Sequence, residues 1–302
     1  YSSMAVAMAI VASLVASQLI GSKDLSWQVA IALFALAVGI PHGALDHFVT
    51  VQRTNKKSMF VFIFVYVLVA GAAVLAILKW NVLGFQIVVL MSLVHFGVGD
   101  SAFLNELDRL KGISSSRLPT AFVVLAFGSI PVVLPLINSL STSALAQVNT
   151  NLVNWHQGFD ESLRAIVLVL FIVAVAALII TKRFRDIIDL LLLTALAVLT
   201  PPLIAFAVYF GCWHAMRHTA RLTLVLPESL SAFEQGNALK AFWSAVLPGT
   251  PALIGAFILA AGLWIYGNVD KSFFWFVLTI VWALTVPHMI VTAKLDRKAL
   301  RI

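Results

Sequence analysis

Between Lys57 and Lys79 the chain runs through 21 residues, SMFVFIFVYVLVAGAAVLAIL, without one charge. At about 1.5 Å per residue, a helix of that length is about 30 Å long, which matches the hydrocarbon core of a bilayer. Lipid offers the backbone no hydrogen-bond partner, so the run must cross as a helix whose own N–H and C=O groups satisfy one another. Comparable runs recur to the end of the chain. They restrict the fold to an all-α, polytopic integral membrane helix bundle, a single transmembrane domain over residues 1–302. Of the 302 residues 61% are hydrophobic and 11% charged, against about 25% charged in soluble domains.

Hydropathy predicts about 10 transmembrane helices. They cover Met4–Ile20, Trp27–Val51, Met59–Lys79, Val82–Leu104, Leu118–Leu140, Leu163–Thr181, Ile187–Thr200, Leu203–Leu226, Phe242–Tyr266 and Phe273–Ala293. Met4–Ile20 reads as a first span, since a signal peptide would have a basic segment before it. Thr200-Pro201-Pro202 predicts a tight turn, because the Pro pair donates no N–H and keeps the preceding residue out of the helix.

Loop charge sets the orientation. Arg53, Lys56 and Lys57 follow the second span; Arg109, Lys111 and Arg117 the fourth; Lys182, Arg183 and Arg185 the sixth. Arg217, Arg221 and Lys240 flank the link after the eighth, and Lys294, Arg297, Lys298 and Arg301 occupy the tail. The long link Ser141–Ser162 after the fifth has neither Lys nor Arg. The positive-inside rule then puts both the N- and C-termini in the cytoplasm, for a multi-pass protein of the cell (plasma) membrane. The net charge of +7 is accounted for by these loops. No basic cluster sits on a soluble domain, so no nucleic acid is expected as a partner. The single cysteine, Cys212, excludes an internal disulfide and a thiolate-rich metal site.

Five of the seven histidines lie inside spans: His42, His95, His214, His218 and His288. Helical rise puts His42 about 22 Å, His95 about 20 Å, His214 about 17 Å and His288 about 23 Å from the outer ends of their helices. All four helices descend in one direction, so these rings fall in one layer. His218, four residues after His214, shares its face. Ionisable groups inside a membrane mark function by default, and neutral imidazoles suit iron, zinc, copper or nickel. Asp46, one turn beyond His42, is positioned to orient a ligand. His47 is expected at the headgroups, His156 in a solvated loop, and Asp100 as an ordinary helix-end charge. Gly39, Gly43, Gly97, Gly99 and Gly211 remove bulk beside the cluster. Phe48, Phe96, Tyr209, Phe210 and Trp213 are candidates for lining a lipophilic tunnel.

The segments GIPHGALDH (Gly39–His47), VHFGVGD (Val94–Asp100), CWHAMRH (Cys212–His218) and LTVPHMI (Leu284–Ile290) resemble, in order, those of the bacterial and archaeal Brp/Blh family of membrane β-carotene 15,15′-dioxygenases. The resemblance covers the chain from the second span to the last. It implies cleavage of the central C15=C15′ bond of β-carotene by O2 to two molecules of all-trans-retinal, with β-carotene drawn from the lipid membrane. It also implies retinal hand-over to a microbial rhodopsin. On matching positions it implies an Fe(2+) cofactor held by His42, His95, His214 and His218, with His288 beside them as a near-site residue or alternative ligand. Two other readings of the histidines stay open. One is a membrane haem-binding electron carrier. The other is a di-iron lipid or carotenoid hydroxylase, which needs about eight histidines where this chain has seven and no adjacent pair.

Overall fold

The computed structural model describes residues 1–51, 56–112, 118–267 and 272–300, so Arg53, Arg117 and Arg301 lie outside the described residues. Every regular element within them is a helix. Helix α1 (Ser2–Ala16) continues as a π turn over Ser17–Gly21 and is followed by α2 (Leu25–Gly43) and the short α3 (Asp46–Thr50). Then come α4 (Lys56–Lys79), α5 (Asn81–Leu110), α6 (Thr120–Leu136), α7 (Ser141–Val148), α8 (Asp160–Ile180) and α9 (Phe184–Leu199). Helix α10 (Pro202–Val208) runs through a π-helical stretch, Tyr209–Ala215, into α11 (Met216–Leu222). Helices α12 (Pro227–Glu234), α13 (Ala238–Val246), α14 (Thr250–Gly267) and α15 (Phe273–Leu300) complete the bundle.

Seven of these helical stretches are long and apolar enough to cross a bilayer: Ser2–Gly21, Leu25–Thr50, Lys56–Lys79, Asn81–Leu110, Asp160–Ile180, Ala238–Tyr266 and Phe273–Leu300. The count is eight if α6 and α7 form one span, although that pair is bent by 83°. The difference from the expected ten has a physical basis in each remaining segment. Pro131 and Pro135 lie inside α6, which stops at Leu136. Helix α9 has 16 residues, about 24 Å of rise. The eighth expected span is interrupted by the π stretch and carries Arg217 and Arg221.

Local chemistry explains several boundaries. Asp24 caps α2, its carboxylate accepting from the Ser26 N–H at 2.8 Å, as N-cap acids do. Thr200 and Pro201 are extended and α10 begins at Pro202, where a missing N–H leaves no helical bond unmade. Of the stretches long enough to span, α15 and α2 are the most enclosed, whereas α4 and α8 turn Phe60, Phe64, Ile166 and Ile172 outward. An exposed apolar belt of that kind suits lipid rather than water. Helices α5 and α6 nearly touch backbone to backbone. A Cβ on Gly97 would stand 1.9 Å from the Val124 carbonyl oxygen, and one on Gly128 1.9 Å from that of Leu93. Only glycine permits this crossing, which draws the helix bearing His95 into the centre.

Candidate metal centre and its cavities

Four helical stretches bring five imidazoles together. His42 comes from the last turn of α2, His95 from mid-α5, His214 and His218 from the π stretch and α11, and His288 from α15. All five are buried. His42 lies 5.3 Å from His214, 5.2 Å from His218 and 5.3 Å from His288, between ring centroids. His95 lies 5.0 Å from His214 and 5.2 Å from His288. His214 and His218 stack at 6.3 Å. The residues that helical rise puts in one layer are therefore neighbours.

Within the cluster, His42, His214 and His288 each offer a ring nitrogen, and the three nitrogens lie within 4.8 Å of one another. His95 and His218 stand around this group without joining it at that distance. The imidazoles are also held in particular orientations. His288 Nδ1 contacts both oxygens of Asp46, at 3.0 and 2.9 Å. The carboxylate accepts, so Nδ1 carries a proton and Nε2 is the nitrogen left to face a metal. His42 Nδ1 faces the Gly39 carbonyl and must likewise donate. His95 Nε2 and His288 Nε2 are buried with no hydrogen-bond partner. Buried polar atoms are nearly always satisfied. His288, with Nε2 orphaned, Nδ1 tied to a carboxylate and a ring nitrogen close to those of His42 and His214, fits a metal ion; metal-bound histidines are supported in that way.

Asp46 reaches His288 because α2 ends at Gly43. The chain turns over Ala44 and Leu45, and α3 restarts with Asp46 buried. Tyr66 of α4 donates to Asp46 at 3.0 Å and also contacts the Leu284 carbonyl at 3.3 Å. Tyr66 was not singled out from the sequence. Its signal was there: a lone phenol in an apolar run needs a partner for its hydroxyl.

Below the histidines lies a layer of buried ion pairs. Arg217 bonds Asp100 at 3.0 Å and Asp189 at 2.6 Å, with its guanidinium 3.5 Å over the Trp213 ring. Arg221 bonds Glu106 at 2.7 Å and Asp296 at 2.6 Å. Four carboxyl groups thus surround two guanidiniums close to the imidazoles, a balance suited to an added cation. Two expectations are corrected here. Asp100 is buried and accepts from Trp213 Nε1 at 2.9 Å, so it is no ordinary helix-end charge. Arg217 and Arg221 are buried rather than flanking a cytoplasmic link, because paired guanidiniums can be enclosed where single ones cannot.

A cavity of about 320 Å³ opens against the cluster. His42, His95, His214 and His288 form part of its wall, together with Phe96 and Phe210. Its rim includes Ile63, Val67 and Ala252, which are exposed on the outside of the bundle. Of the aromatics expected to line a tunnel, Phe96 and Phe210 are on the wall of this cavity, and Tyr209 lines a second cavity behind them. Trp213 and Phe48 line neither. Trp213 is directed at Asp100 and stacks under Arg217. The turn after α2 carries Phe48 toward Leu45, Leu222, Leu226 and Ala245. His47, expected at the headgroups, is half-buried on the wall of the first cavity. His156 is half-buried in its loop, where Nδ1 accepts from the Gly158 N–H at 3.3 Å.

Residues 33–296 match a family model described as "Beta-carotene 15,15'-dioxygenase". The chain is 27% identical over 269 residues to a "Beta-carotene 15,15'-dioxygenase" of an uncultured marine bacterium, 66A03, covering 84% of this chain and 88% of that one. It is also 27% identical over 287 residues to a "Probable beta-carotene 15,15'-dioxygenase Blh" of Halobacterium salinarum, covering 87% and 82%. No solved structure matches significantly.

Proposed function

Because the chain belongs to the β-carotene 15,15′-dioxygenase family, we propose that it cleaves the C15=C15′ bond of β-carotene with O2, giving two molecules of all-trans-retinal at a non-haem Fe(2+) centre. The observation that carries the reading is the meeting of five buried imidazoles, two with orphaned Nε2 atoms, four of them on the wall of an apolar cavity whose rim is exposed on the outside of the bundle. His42, His95, His214 and His218 are the proposed ligands, with His288 added by its approach to His42 and His214. Ferrous iron in this site supplies the binding and activation of dioxygen.

The chain's own residues supply the rest. Gly39 and Asp46 hold the Nδ1 protons of His42 and His288, which presents the Nε2 lone pairs to the centre. Phe96 lies 4.4 Å from the His214 ring and offers a flat apolar face for a polyene. The apolar walls keep water from the reacting carbons. The chemistry needs no outside electrons, since one C=C bond and one O–O bond break while two C=O bonds form. β-Carotene has almost no aqueous solubility, so entry from the bilayer at Ile63 and Val67 is the proposed route. In this reading the protein lies in the plasma membrane with both termini cytoplasmic, and retinal passes on to a microbial rhodopsin.

The test is a set of variants. Protein loaded anaerobically with Fe(II) and given β-carotene in liposomes yields retinal, measured by chromatography. His95→Ala, His214→Ala and His218→Ala each lose both iron and retinal. Full activity in any of them removes that residue from the ligand set. A Soret band in the active protein supports the haem alternative instead.

A further inference from the structure

A second cavity, of about 120 Å³, lies directly behind the first. The two share Phe96, Phe210, Val281 and Thr285. They differ in their outlets. The rim of the first includes Ile63 and Val67, 46% and 62% exposed, whereas the second is walled by Phe85, Val148 and Phe274, each no more than 4% exposed. The α6–α7 break forms one wall, where the 83° bend is followed by Ser141, Ala144 and Val148 of α7. No charged residue lines it. It is an uncharged chamber behind Phe96 and Phe210, and none of its lining residues is exposed.

The partition is built from aromatic side chains. Phe210 stands 5.9 Å from His42 and Phe96 4.4 Å from His214, between ring centroids. Phe210 occupies its place because residue 39 has no side chain: a Cβ there would come within 2.0 Å of the Phe210 ring. Aromatic rings at the end of two torsions can swing where backbone cannot, so this wall is the part of the enclosure able to open.

We propose that the carotenoid enters end-first from the bilayer, that its leading ring lodges in the chamber behind Phe96 and Phe210 against α7, and that the depth of this chamber selects the double bond lying against the histidine cluster. This rests on the carotenoid-cleaving reading above. An apolar molecule with a ring at each end offers no polar handle at its middle, so position along it must be measured from an end. The buried α7 wall supplies the stop.

Two experiments test the ruler. Ala144→Phe and Val148→Phe fill the chamber from α7 without touching the histidines. With iron content and Tm unchanged, each is expected to move cleavage off centre, so β-carotene gives two aldehydes of unequal length, identified by mass spectrometry. Retinal as the sole product at wild-type kcat/KM overturns the proposal. Should these variants fail to fold, the unaltered enzyme answers with a C30 apocarotenal bearing one ring and one aldehyde end. Measurement from the ring predicts cleavage at the same 15,15′ bond, giving retinal and a short dialdehyde; cleavage at the middle of the shorter chain, or no cleavage, overturns it. A wild-type enzyme that makes no retinal from β-carotene overturns the functional reading itself, which separates the two failures.

Discussion

Asp46→Ala isolates the support behind the metal centre from the centre itself. The carboxylate touches His288 Nδ1 at 2.9 and 3.0 Å and accepts from Tyr66 at 3.0 Å, and it is buried. Without it, the imidazole loses the partner that fixes which nitrogen is protonated. A buried hydrogen bond to a charged group contributes about 1.5–3 kcal/mol, and loss of a carboxylate behind a metal-bound histidine typically weakens metal binding about 10- to 100-fold. The two scales agree, since about 1.4 kcal/mol is tenfold in an equilibrium constant. Asp46→Ala is therefore expected to raise the Kd for Fe(II) by about 10- to 100-fold, read by competition against a chromogenic chelator. Tyr66→Phe removes a neighbour of Asp46 while leaving the Asp46–His288 contact, so its effect is expected to be smaller. Wild-type iron affinity in Asp46→Ala, with the fold intact, would refute the claim that His288 is held for a metal.

Arg217→Met leaves Asp100 and Asp189 without the guanidinium that links them, at a cost of about 3–5 kcal/mol. Thermal unfolding in detergent should show a large fall in Tm, and adding Asp100→Asn with Asp189→Asn should recover part of it. Gly97→Ala drives a Cβ to within 1.9 Å of the Val124 carbonyl and separates α5 from α6. About 1–3 kcal/mol of lost stability is expected, together with weaker iron retention because His95 moves with α5; an unchanged Tm would show that the crossing relaxes freely.

The parts legible in the sequence are those governed by fixed helical geometry. Rise per residue is nearly constant, so counting along each apolar run brings His42, His95, His214 and His288 to one depth without knowledge of how the helices pack. Facing and breaks depend on tertiary contacts and were less visible. The π stretch Tyr209–Ala215 changes the angular spacing along the helix, and Trp213 ends directed at Asp100 rather than at a cavity. The restart of the helix at Asp46 turns Phe48 away and brings the carboxylate under His288. Arg217 and Asp100 are 117 residues apart, so their pairing left no local trace, and the loop-charge pattern instead assigned Arg217 to a cytoplasmic link. The bend between α6 and α7 follows prolines that hydropathy averages over a whole window.

The most direct measurement is a titration of metal-free protein with Fe(II) under β-carotene and O2, recording retinal formed against iron bound. Retinal formation that rises in proportion to iron and saturates at one iron per chain is the predicted result. Retinal formed without iron, or none formed at saturation, would contradict the account.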